Sequence, residues 1–197
     1  MNERGIDDIL AIRAMMERAS KFLSFSGLSG ISAGIVALAG AWVAAGILSG
    51  ASGAPEGSVA AYLFLDASLV LLASLGLVLY FSRRVAVKKG IPLWGSAARY
   101  VAFALAVPLS AGGVLCLVLM AHGLAWLIPA CMLLFYGLAL LNAGNFTFGE
   151  IRALGVIEVV LGLLAAALPA YGLWFWAGGF GLSHICYGVL HYRKYER

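Results

Sequence analysis

Charge is scarce in this chain. Thirteen Lys and Arg and nine Asp and Glu make up only 11% of 197 residues, against about 25% in a typical soluble domain. So few charges exclude a globule wetted on all sides. Cysteine is scarce as well: Cys116, Cys131 and Cys186 lie apart in apolar stretches with no CxxC pair. That excludes a disulfide framework and the clustered ligands a zinc or redox centre needs. No basic and aromatic constellation of a nucleic-acid binder is present, and no nucleophile stands with a base and an orienting group. The reading therefore assigns no catalytic residue, no metal ligand, no cofactor and no nucleic-acid partner.

What is present is apolar. Hydrophobic residues make up 63% of the chain and mean hydropathy is +0.98. A bilayer core of about 30 Å takes roughly 20 apolar residues as a helix. Six runs qualify, at 22–48, 61–81, 100–121, 124–141, 151–168 and 173–190. The expected fold is an all-α integral membrane domain over 22–197, six transmembrane helices arranged as three hairpins. Residues 1–21 form a cytoplasmic arm. Within it Asp7 and Asp8 precede Ile9, Ile12, Met16 and Ala19 at helical spacing, the pattern of a short amphipathic helix lying on a membrane surface. The first run exceeds a signal-peptide core in length, so it reads as a retained span.

Orientation follows from the cations. Arg4, Arg13, Arg18 and Lys21 precede the first span, and Arg83, Arg84, Lys88, Lys89 and Arg99 flank the second loop. Arg152 marks the fourth loop, and Arg193, Lys194 and Arg197 the tail. All thirteen fall on one side of a six-span chain. By the positive-inside rule that side is cytoplasmic and holds both termini. Trp126, Trp174 and Trp176 at one end, with Trp94, Tyr100 and Tyr192 at the other, form interfacial belts.

Small residues line several spans. Gly27, Gly30, Gly34, Ala37, Ala41 and Ala45 make a stripe on the first, suited to close helix packing within the chain or between subunits. Gly155 and Gly162 share a face of the fifth span with Glu158, and Gly181 and Gly188 share a face of the sixth with His184 and His191. Ionisable groups at membrane depth are functional candidates, which singles out Asp66, Glu158 and His184. Glu158 and His184 lie thirteen residues before and after Tyr171, so a tight hairpin there brings them to one height and predicts contact. Three roles stay open for them: interhelical glue, a proton relay, or no contact. His191 is about two turns beyond His184, roughly 10 Å, too far for the two to ligate one haem within the chain.

Two hairpins read as diverged copies, each second span carrying Tyr-Gly, at Tyr136-Gly137 and Tyr187-Gly188. The stretch LGVIEVVLGLLAAALPAYGLWFWAGGFGLSHICYGVLHYRKYER resembles the hairpin repeat of HdeD-like acid-resistance membrane proteins: a Gly/Leu-rich span, a Pro-containing turn, then an aromatic and Gly-rich span. About 45 residues carry the likeness; the first hairpin and the arm depart from it. The opening MMERASKFLSFSGLSG is similar to that of another group of bacterial six-span proteins, a likeness that carries no activity. The resemblance implies a small six-span protein of the bacterial inner membrane. The expected function is non-enzymatic, in envelope stress or regulation, through the bilayer and through a homo-oligomer or membrane-protein partner. The alternative is an oligomeric proton-linked transporter or channel using Glu158 and His184.

Overall fold

The computed structural model describes residues 26–51, 55–90 and 92–197. Every regular element among them is helical. Helix α1 spans Gly27–Ser49, α2 Glu56–Lys89, α3 Ser96–Ala121, α4 Ile128–Ala143 and α5 Gly149–Ala167. The sixth, α6, runs without a break through an α-turn at Gly172–Trp176, a π-helix at Ala177–Ser183 and an α-helix at His184–Tyr195. Short 3-10 turns at Ala125–Leu127 and Pro169–Tyr171 lead into α4 and α6. The amphipathic helix expected at 1–21 lies outside the described residues.

Four of these helices are long and apolar enough to cross a membrane: Gly27–Ser49, Gly57–Lys89, Ser96–Ala121 and Ala125–Ala143. Water could not wet their surfaces cheaply. On α2 alone Leu65, Leu69 and Leu72 are more than half exposed, far beyond the apolar patch a soluble monomer tolerates. Helix α5 is shorter and carries Glu150, Arg152 and Glu158, and α6 is interrupted by its π segment.

Local chemistry fixes where helices stop and bend. Ser26 caps α1, its hydroxyl accepting from the Leu28 amide at 3.3 Å. Gly90 ends α2 at φ 63, a left-handed conformation that glycine adopts without steric cost. Inside α3, Pro108 has no N–H to give the Ala104 carbonyl one turn back. Asn142 of α4 fills that gap, its side-chain amide donating to the Ala104 oxygen at 3.2 Å. In an apolar phase such a carbonyl must find a donor within the protein.

Close packing runs as one continuous series, α2 on α1, α1 on α6, α6 on α5, α5 on α4 and α4 on α3. Among the described residues, helices α2 and α3, adjacent in sequence, pack closely only on α1 and α4 respectively. The seam between the first and last helices is made by glycines. A Cβ on Gly30 would sit 3.1 Å from the Gly188 Cα, and one on Gly34 would sit 2.6 Å from the Gly181 carbonyl. Gly27 and Gly188 oppose one another in the same way, so the first stripe packs within the chain along the N-terminal half of α1. Further along, Gly40 faces Val70 of α2. A second glycine seam joins α4 to α5, where a Cβ on Gly137 would lie 2.7 Å from the Gly155 carbonyl, and Gly162 lies against Leu134.

The small-residue faces of the last two helices do not pack on each other. Gly155 and Gly162 turn to α4, and Gly181 and Gly188 turn to α1.

A buried carboxyl, imidazole and phenol

Glu158 on α5 is fully buried, and His184, at the end of the π segment, is 7% exposed. The structure brings them together, with His184 Nδ1 3.5 Å from Glu158 Oε1. That distance is longer than an N–H···O hydrogen bond. The short bond from Nδ1 goes elsewhere, to the Gly179 carbonyl at 3.0 Å. A carbonyl only accepts, so Nδ1 carries a proton there. The neutral imidazole then has its lone pair on Nε2, which takes the Tyr136 hydroxyl at 2.8 Å. Tyr136 from α4 thus completes a set drawn from three helices.

The π segment shapes this site. Its wider turn aims side chains at carbonyls five residues back: His184 at Gly179, and Ser183, whose hydroxyl donates to the Gly178 carbonyl at 3.0 Å. Such segments are rare and recur at functional sites. Gly179 lies directly against the Glu158 carboxyl, leaving no room for a Cβ. Phe180 stacks between Trp176 and the site, its ring 4.9 Å from Tyr136 and 6.1 Å from His184, while Leu133 closes the floor. Both Glu158 oxygens lack a hydrogen-bond partner among the described residues.

The other singled-out residues sit apart. Asp66 is half-buried on α2, with Oδ2 beside Gly40 of α1, remote from Glu158 in the packing order. His191 is buried among Phe148, Tyr187 and Tyr195, edge-on to Phe148 at 4.6 Å. No group of three or more His, Cys, Asp or Glu suited to a metal occurs among the described residues. Tyr136, Gly179 and Phe180 belong to the site although sequence reasoning did not assign them to it. The Tyr-Gly repeat was a partial signal for Tyr136. Its counterpart Tyr187 has no hydroxyl partner among the described residues. In both copies the glycine closes on a neighbouring helix, Gly137 on Gly155 and Gly188 on Gly27.

At the basic end, the tail is tied down twice. Glu150, at the start of α5, accepts from Lys194 at 2.5 Å and from the Tyr195 hydroxyl at 3.1 Å. Burial works to raise the Glu150 carboxyl, but these donors outweigh it and hold it below its usual range. The same carboxylate lifts the Lys194 ammonium above its own. Glu196 caps α1, one oxygen accepting the Ser26 hydroxyl at 3.0 Å and the other the Gly27 amide.

No family model, curated protein or solved structure matches the chain.

Proposed function

We propose that the protein is a six-span component of a bacterial inner membrane with both termini in the cytoplasm. It acts without catalysis, in envelope stress or regulation, through lipid and protein contacts that include a homo-oligomer or a membrane-protein partner. The HdeD-like pattern of residues 154–197 and the one-sided cations support this reading. The observation that carries it is the burial of Glu158, His184 and Tyr136 among three helices. A polar set closed in this way locks helices into one arrangement, as interhelical hydrogen bonds do in membranes. Proteoliposomes test it: wild type and Glu158→Gln should show equal, background proton and solute flux at every pH. A second reading is favoured by the two unpartnered oxygens of Glu158. On that reading the carboxyl takes up and releases a proton, His184 and Tyr136 relay it, and the protein is an oligomeric proton-linked transporter or channel. Flux that depends on pH and disappears in Glu158→Gln would decide for it.

A further inference from the structure

At the basic end, α1, α2 and α6 enclose a cavity of about 260 Å³, smaller than the roughly 300–1,000 Å³ of sites that bury drug-sized ligands. Its walls divide by chemistry. Leu28, Phe81 and Val85 form an apolar side, and Arg84 and Lys88 stand one helical turn apart on α2. The tyrosines 192 and 195 of α6 complete it. Arg84 also lies 6.0 Å from the Tyr80 ring centroid. One acid lines the cavity, Glu196, and its carboxylate is already spent on the Ser26 hydroxyl and the Gly27 amide. That contact also closes the α1 N-terminus to any other anion. Arg84 and Lys88 make no ion pair with an acid among the described residues.

An occupant must match both halves: an anion for Arg84 and Lys88, and hydrocarbon for Leu28, Phe81 and Val85. We infer that the cavity binds the phosphate of an anionic phospholipid, whose acyl chains continue along the apolar stripe of α2 in line with Arg84, past Tyr80, Leu77 and Ala73. Paired cations between helices at the end of a span suit such a headgroup, and guanidinium matches phosphate in two-pronged geometry. The inference rests on the proposed placement of the basic end at the membrane surface.

Native mass spectrometry of the full-length protein in neutral detergent tests it, titrating phosphatidylglycerol, phosphatidylcholine or soluble glycerol phosphate. Wild type should retain phosphatidylglycerol selectively. Arg84→Gln with Lys88→Gln should weaken that binding more than tenfold, each cation being worth roughly fivefold. The charge-matched pair Arg83→Gln with Arg99→Gln, off the cavity, should change it less than twofold. Leu28→Trp, which keeps every charge but fills the mouth, should also lose the lipid and guards against misfolding of the glutamine pair. Equal losses in both glutamine pairs would overturn the site in favour of diffuse surface attraction. Retention of glycerol phosphate as strong as that of the lipid would overturn the lipid in favour of a free phosphate ligand. Extraction of the wild type by alkaline carbonate, from membranes before detergent is added, would instead sink the membrane reading, a separate result.

Discussion

His184 is the residue whose chemistry is most constrained, because each ring nitrogen has a different kind of partner. Removing the Tyr136 hydroxyl leaves Nε2 without a donor, and a stranded buried polar atom costs about 1–3 kcal/mol. Tyr136→Phe should therefore lower the unfolding temperature in detergent, and Tyr136→Phe with His184→Leu should lower it by less than the sum of the two. Strict additivity would show that the 2.8 Å contact contributes nothing. Glu158→Leu, His184→Leu and their double mutant form a second cycle, with a coupling of roughly 0.5–3 kcal/mol expected for groups in contact. Gly179→Ala should lower the unfolding temperature, since its methyl meets the Glu158 carboxyl and Leu133. Changing Glu158 to Ala in the same chain should recover part of that loss. Outside the bilayer-facing segments, Glu150 offers a pH test. Its carboxyl is depressed when folded, so its contribution is present above the unfolded carboxyl range and disappears as pH falls through the lower folded value. Lys194 is raised, so its share is present below the ordinary lysine range and disappears as pH climbs past it. Wild type should thus lose a small increment of stability on acidification below about pH 4.5 that Lys194→Met does not lose. Identical melting curves for the two proteins across pH 3–6 would show the pair to be inert.

For the helices, packing is decided by where glycine stands rather than by how many there are. Gly30→Leu and Gly34→Leu should break the α1–α6 seam, at about 1–3 kcal/mol each for overpacking. Gly46→Leu and Gly76→Leu, whose added Cβ meets open space, should be tolerated. Melting of all four in one detergent gives the answer, and equal losses would mean the seam is not special. Helix α3 carries a second test. Asn142→Leu deprives the Ala104 carbonyl of its donor and should cost roughly 0.5–1.5 kcal/mol. In a Pro108→Ala background, where α3 supplies its own donor, the same change should cost almost nothing. These features differ in how far they show in the sequence. Helix positions followed from long apolar runs, because a bilayer permits little else. The meeting of Glu158 with His184 followed from counting residues about Tyr171. The partners of the glycine faces did not follow. A face at helical spacing shows that something comes close, without showing which of five other helices it is. The π segment was hidden for another reason: AGGFGLS breaks no composition rule, yet one extra residue in the turn changes which way everything beyond it points. With that shift, Gly181 turns to α1 while His184 faces Glu158 and Tyr136.

For the molecule as a whole, the one-sided cations make orientation testable. In a background with Cys116, Cys131 and Cys186 replaced, single cysteines at Gly57 and Ala170 should react with an impermeant maleimide from outside intact cells. Those at Lys88 and Lys194 should react only after permeabilisation. Labelling of position 194 from outside would overturn an even number of spans. The seam between α1 and α6 bears on synthesis as well. The glycines at 27, 30 and 34 are synthesised long before the surface that fits them, at 181 and 188. Helix α2 can pack on α1, α3 on α4 and α4 on α5 before α6 exists, while the Gly27–Gly34 face of α1 stays open to lipid or to a chaperone. The α1–α6 seam therefore closes only after α6 has been made. A nascent protein stalled before α6 should be a quality-control substrate even though α1 to α5 are already complete.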